Sequence, residues 1–455
     1  MDQKTSIKDI SITFVNMPLR ESAPPVVAPE GPALLASKLR KLGVKVTILD
    51  LNAYRIKDKY AKSMGLKTGR YLTMQEAELY FIAHLNKYGD QDVVAFSGII
   101  TTLKWQEYFA KIVRKYQPYA FLVSGNGLAT EIKFGLFNWI PELDAIARSE
   151  GDDVIVDIVR DAAIIKKFGK AKSILGNKVS KHYKQMYRGQ HRFVYEGGRP
   201  SDLDSIEYAA WDLLETDPFG NNLLEEYISI PIWGLAANNS SAAPFKMKRS
   251  LNTVSSRGCP YSCAFCYRGA QGERNYGIRS ASNLAEQIYN YTNMYDLDFI
   301  GYVDDNFAVS KKRMEQLPNV FKEHGVKVKW GTHTRMDEAD QRLFPMSDAG
   351  CIYIGFGAES ASEKTLTRMK KGGFILRNGI EKVKVDGKVY DFPKTMTDAI
   401  KNCHSAGIHA NCTWIMGFPG ETLSDLKTSV AFIKWQQDII ERNEVQNNNE
   451  YIDVK

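Results

Sequence analysis

Strand-length apolar segments alternate with amphipathic helical ones twice along this 455-residue chain, an order that few folds accommodate. In the first series, residues 10–16, 44–49, 92–100, 121–124 and 143–147 read as buried strands. Helical stretches separate them; residues 30–42 carry Leu35, Leu39 and Leu42 on one face and are closed by Gly43. Such β-α-β-α order predicts a doubly wound parallel α/β sheet whose ligands sit at the C-terminal strand ends. The second series has expected strands at 253–256, 299–303, 326–332, 352–357 and 409–416. Polar residues gather after each, as in a parallel (β/α) barrel or part of one. The expected division is a Rossmann-like domain over 1–160, a basic linker with helices over 161–247, and a partial barrel over 248–455.

The strand ends of the first series are built from small residues. They run into Ser97-Gly98 and Thr101, then Ser124-Gly125-Asn126-Gly127, then Ser149-Glu150-Gly151. Such ends let a bulky ligand approach the backbone closely; the same residues are also ordinary turn chemistry. Between 160 and 200, eleven basic residues face two acidic ones, although the whole chain is only +7. A run of this kind is ordinarily a solvated face, and nucleic-acid contact is the minority reading. Asp386-Gly387 between alternating apolar residues predicts a hairpin inside an inserted stretch at 373–393. Residues 450–455 make a poor sixth barrel strand, so the barrel is expected to be short or the chain a fragment.

Cysteine placement narrows the chemistry. None of the six precedes residue 259, and Cys259, Cys263 and Cys266 fall within eight residues, spaced C-x3-C-x2-C. A disulfide framework would be spread along the chain, so metal or redox chemistry in a reducing compartment is expected. No apolar run approaches the ~18 residues of a membrane span, and the N-terminus lacks the apolar core of a leader. A cytoplasmic location without a transmembrane segment follows as the expectation. Three thiolates on one loop can hold three irons of a cubane cluster; a zinc site is the alternative, with His333 or Cys351 as a fourth ligand.

The cysteine spacing, with Phe265 just before the third cysteine, resembles the cluster loop of the radical S-adenosylmethionine (SAM) enzymes. The resemblance implies a [4Fe-4S] cluster whose fourth iron is chelated by the amino and carboxylate groups of SAM. Asp304-Asp305-Asn306 stands where that family binds the methionine amine. Gly357-Ala-Glu359-Ser360 resembles its segment near the ribose, and Gly417-Phe-Pro-Gly420-Glu421-Thr422 its segment near the adenine. Helix capping is the plain alternative for Asp304 and Asp305. His333 and Arg335 end the third strand, where side chains face cofactor or substrate; a structural histidine is the alternative for the first. Residues 29–42, Leu49-Asp50-Leu51-Asn52 and Ser149-Glu150-Gly151 resemble the cobalamin-binding domain that precedes many such barrels. No D-x-H-x-x-G is present, and His84, the sole histidine before 182, lies in a helical stretch. The resemblance therefore implies cobalamin without a protein histidine on cobalt, lying near Ser97, Thr101, Gly125, Gly127 and 149–151. It also implies a methyltransferase, with a radical cyclase or rearrangement enzyme as the alternative. A small-molecule or lipid substrate and a flavodoxin- or ferredoxin-type electron donor go with it. A non-catalytic iron-sulfur or zinc protein is the reading from another class.

Overall fold

The computed structural model describes residues 6–19, 27–54, 65, 72–176, 178–187, 190–229, 247–266 and 275–446. The chain divides into two units, one mostly from residues 1–228 and the other mostly from 229–455. In the first, the strands are β1 (Ser11–Asn16), β2 (Lys45–Asp50), β3 (Val93–Ser97), β4 (Phe121–Gly125), β5 (Ala145–Arg148), β6 (Tyr183–Tyr187) and β7 (Gln190–Glu196). They form one sheet in the order β2-β1-β3-β4-β5-β7-β6, parallel except for the antiparallel β6–β7 pair. The order reverses between β1 and β3, the switch point at which a doubly wound sheet opens its ligand crevice. The expected sheet is present, with one correction: the region taken as a linker supplies β6 and β7. Phe193, Val194 and Tyr195 are buried there in a run whose charges mask them in the sequence. Arg192, itself buried, turns its guanidinium onto the carbonyls of Leu143 and Pro141.

The helix Met74–Tyr88 shows how local sequence sets this layer. Thr73 and Glu76 close a reciprocal capping box at its start. Its apolar face then packs Phe81 and His84 under the sheet. His84 Nε2 meets the hydroxyls of Thr13 (2.9 Å) and Thr47 (3.1 Å), which point down from β1 and β2. Burial depresses its pKa to about 4. The native ring is therefore neutral, whereas the unfolded ring titrates near ~6.5. A depressed folded pKa contributes stability above the unfolded value and loses it as pH falls through the folded one. Stability should thus fall by roughly 3 kcal/mol between about pH 6.5 and pH 4 through this group. Denaturant midpoints for wild type and His84→Gln across that window check this: the variant should show a shallower slope, whatever its absolute stability.

In the second unit, β8 (Ser250–Thr253) leads to a short antiparallel pair, β9 (Ser256–Arg257) and β10 (Gly277–Ile278), that brackets the cysteine loop. The strands β11 (Phe299–Tyr302), β12 (Lys329–Arg335), β13 (Cys351–Glu359) and β16 (His409–Trp414) follow, with β14 (Ile380–Val385) and β15 (Lys388–Pro393) forming the expected hairpin around Asp386-Gly387. The sheet order β16-β13-β12-β11-β8 is parallel throughout, a five-stranded arc with a helix after most strands. Residues 450–455 lie outside the described residues. On the helix side, Trp330 is fully buried against Tyr302 and Phe307. On the opposite, concave side Gly301 pairs with Gly331, and Gly355 and Gly357 pair with His333 and Arg335. A Cβ on Gly355 would come within 2.5 Å of the His333 ring, so bare backbone there is what gives the imidazole its place. Among the described residues no helix is long and apolar enough to cross a membrane.

Candidate functional site

The cysteine loop leaves β9 at the C-terminal end of the arc. Cys263 is buried, Cys259 half-buried and Cys266 exposed, and the Cys266 amide donates to the Cys263 carbonyl at 3.2 Å, closing a turn. Around this turn the end of β12 builds a buried polar shell. Arg335 Nη1 reaches Cys263 Sγ at 3.3 Å, its Nε donates to Asp337 Oδ1 at 2.9 Å, and its guanidinium carbon stands 4.0 Å from the centre of the Tyr261 ring. The Tyr261 hydroxyl donates to Glu338 at 2.9 Å, and Glu338 also accepts from Asn306 and Thr334. Arg335 Nη2 is buried with no hydrogen-bond partner among the described residues. Burial raises the Cys259 thiol pKa, opposed by the charge of Arg335.

The other three cysteines have a different environment. Burial drives the thiol of Cys351 far up, that of Cys403 well above its usual value and that of Cys412 up to about 12. Each is held protonated inside its own element, as inert structural thiols are. Among the described residues no three His, Cys, Asp or Glu side chains gather as a single-ion site. A cubane needs its thiolates on three separate irons, and three soft donors on one loop beside a fixed cation are a donor set that fits it.

Several expected SAM-side residues occupy distinct places. Asp304 is buried, and its carboxylate accepts from the Ser255 amide (2.7 Å), the Ser255 hydroxyl (2.5 Å) and the Ser256 hydroxyl (2.6 Å). It braces the approach to the cysteine loop, whereas its neighbour Asp305 is exposed. Arg313, also buried, ties the same Ser255 to the Phe307 carbonyl. Ser360 faces the helix Leu423–Gln446 through Ser429, so it too is turned to the scaffold. Glu359 has φ +64°, a left-handed conformation costly for a residue with a side chain. That turn sends its carboxylate to Lys371, 3.2 Å away, which also donates to the Gly357 carbonyl at 2.5 Å. The Lys371 ammonium lies 5.8 Å from the centre of the Phe265 ring, and the Ala264 amide donates to the Met369 carbonyl at 2.8 Å. Gly417 stands in an exposed turn held by Glu421. His333 is solvent-exposed, yet desolvation by the surrounding concave wall lowers its pKa. Lys371, Tyr261 and Glu338 are absent from the sequence expectations; nothing in a Lys370-Lys371 pair tells which ammonium turns inward.

In the first unit, β3, β4 and β5 bring Ser97, Gly125 and Ser149 to one edge. Asn126 (φ +66°) and Ser149 (φ +63°) both sit in the left-handed region directly after their strands. Asn126 Nδ2 donates to Ser97 Oγ at 3.2 Å and its Oδ1 accepts the Gly127 amide. Among the described residues Ser149 Oγ is buried without a hydrogen-bond partner, and an orphaned hydroxyl on strained backbone at a strand end is what a ligand would satisfy. Thr101 is spent on the Leu19 carbonyl, Glu150 pairs with Arg199, and Gly151 accepts the first amides of the helix Ile155–Phe168. His84 lies under the sheet, away from these ends. A concavity of about 1310 Å³ opens at the opposite strand ends, but its Asp92, Arg114, Asp144, Lys166 and Lys170 are already paired with one another.

Residues 253–433 match the radical SAM superfamily. The chain carries a radical SAM domain. Over 356 residues the chain is 25% identical to a protein of Pyrococcus horikoshii named an uncharacterised methyltransferase, covering 78% of this chain and 66% of that one. It is 22% identical to an anaerobic magnesium-protoporphyrin IX monomethyl ester cyclase of Cereibacter sphaeroides, covering 76% and 50%. A solved structure of OxsB, a cobalamin-dependent SAM radical enzyme with aqua-cobalamin and SAM bound, superposes with a TM-score of 0.64 at 16% identity, covering 97% of this chain and 56% of that one. The chain thus spans between half and two thirds of the length of these relatives. The radical SAM domain begins at the end of β8, takes in the cysteine loop and ends within the helix after β16.

Proposed function

We propose that the chain is a cobalamin-dependent radical SAM enzyme that transfers a methyl group to an unactivated carbon. The observation that carries the reading is the order of its parts: a doubly wound sheet with an open switch point, then a cysteine loop at a strand end of a parallel arc. Cys259, Cys263 and Cys266 would hold three irons, with Arg335 offsetting negative charge at Cys263. Phe265, Asp305, Glu359 and Gly417 would lie on the SAM side, and Asp304 and Ser360 would brace that side. Ser97, Gly125, Gly127 and Ser149 would meet cobalamin, with no histidine on cobalt. When bound, the cluster and SAM supply a 5′-deoxyadenosyl radical, and cobalamin supplies the methyl group. The protein's own work is to hold these groups, keep water out and present a small-molecule or lipid substrate. Six free thiols suit a reducing compartment such as the cytoplasm, and a flavodoxin- or ferredoxin-type protein would supply electrons.

The named cyclase among the relatives favours a second reading, a radical cyclase of the same architecture. Anaerobic reconstitution with iron, sulfide and cobalamin, followed by SAM and reductant, separates the two. Methyl transfer requires both 5′-deoxyadenosine and S-adenosylhomocysteine, with methylcobalamin appearing in the spectrum. Cyclase chemistry yields 5′-deoxyadenosine without S-adenosylhomocysteine. No cluster absorbance and no SAM consumption would sink both.

A further inference from the structure

Residues 363–377 carry five cations, Lys364, Arg368, Lys370, Lys371 and Arg377, against the single carboxylate of Glu363. Lys371 is the inward one; the other four are exposed. Arg368 stands 4.0 Å from Asp425, while Lys364, Lys370 and Arg377 have no carboxylate within ion-pairing distance among the described residues. Lys370, at φ +54°, is turned out by the same backbone that turns Lys371 in. Between Lys370 and Arg377 lies a shallow depression of about 410 Å³, floored by Gly372 and Gly373. Phe374, 49% exposed, stands beside it.

What lies beneath this face gives it meaning. The Phe374 ring meets Tyr261 edge-on at 5.3 Å, and Tyr261 sits between Cys259 and Cys263. One residue of the same segment accepts the Ala264 amide, and another places its ammonium over Phe265. A single layer of side chains therefore separates the cysteine loop from a basic, partly apolar surface. Unpaired cations around an exposed aromatic make a docking patch for an acidic protein, steering encounter through the rim and packing at the centre. Electron transfer falls steeply with distance, so a carrier gains most where the cover is thinnest.

We propose that the face formed by Lys364, Lys370, Phe374 and Arg377 docks a small acidic one-electron carrier protein that reduces the cluster. The inference rests on the radical SAM reading of the cysteine loop. One electron crosses: an anionic flavin hydroquinone in the carrier becomes the neutral semiquinone, and the cluster passes from its 2+ to its 1+ state. No bond forms or breaks, and no proton moves.

The test uses the full chain with its cluster rebuilt, reduced flavodoxin as the probe, and freeze-quenched EPR of the reduced cluster as the readout. Lys370→Glu with Arg377→Glu should slow reduction by flavodoxin about tenfold to a hundredfold at low ionic strength. Titanium(III) citrate, which needs no docking surface, should reduce wild type and variant at the same rate. Equal flavodoxin rates overturn the proposal. So does a matching loss with titanium, because the residues would then act on the cluster rather than on the carrier. The wild type alone gives a second measurement that no folding defect can affect: its flavodoxin rate should fall as salt is raised, and a flat response overturns the proposal. If titanium produces no reduced-cluster signal in wild type, the radical SAM reading fails instead, and the two failures remain distinguishable.

Discussion

Cys263→Ala should abolish cleavage of SAM, with activity falling more than ~100-fold, beyond the range that loss of a second-shell partner of a metal ligand costs. Cys263 is the buried member of the three and the one to which Arg335 donates. Removing its sulfur leaves the guanidinium buried, with Nη1 joining Nη2 as an unsatisfied donor. Cys259→Ala and Cys266→Ala should give the same loss. Cys403→Ala should not, because that thiol is buried within the helix Lys394–Ser405 and held protonated. Iron per chain, absorbance near ~410 nm of the kind such clusters show, and 5′-deoxyadenosine formed under anaerobic conditions provide three readouts. A fully loaded, active Cys263→Ala protein would remove that cysteine from the ligand set. A dead Cys403→Ala protein that still folds and still loads iron would show that the six cysteines do not divide as proposed.

Much of this arrangement is legible in the sequence because strand burial leaves a period. Residues 11–16, 45–50 and 93–97 are apolar, β-branched and flanked by turn residues, and they emerge as β1, β2 and β3 within a few positions of expectation. The cysteine loop is legible for a different reason: its chemistry depends on spacing along one loop, which sequence records directly. Legibility fails where a charge does a buried job. β7 hides in a basic stripe because Arg192 satisfies itself on backbone carbonyls inside the fold, so its charge does not mark a surface. Asp304 and Asp305 are neighbours with opposite fates, one taken up by two serines and the other exposed, and only the pairing of β8 with β11 decides which. Glu359 is legible as an acid at a strand end, whereas its partner twelve residues on is not. The link between them is a left-handed backbone turn and a short helix, not a sequence period.

That partner carries the second large expected effect. Lys371→Met should destabilise the second unit by about 3–5 kcal/mol, the cost of leaving one member of a buried ion pair alone. The Lys371 side chain is 4% exposed and that of Glu359 11%, so water cannot readily replace the lost ammonium. The Gly357 carbonyl loses its donor in the same step, and the cysteine loop loses the cation over Phe265. Stability and function should then separate in a double variant. Glu359→Gln in the Lys371→Met background removes the stranded charge and should restore most of the stability, because deleting both members of a buried pair costs far less than deleting one. It should not restore SAM affinity measured by equilibrium dialysis, since the carboxylate at the end of β13 is gone and the cysteine loop still lacks its prop. Anaerobic denaturant midpoints and SAM dissociation constants for the four proteins of the cycle decide the matter. If the double variant binds SAM as wild type does, the pair is scaffold alone and Glu359 has no place on the SAM side. If Lys371→Met neither unfolds earlier nor binds SAM more weakly, the buried pair does not link the end of β13 to the cysteine loop.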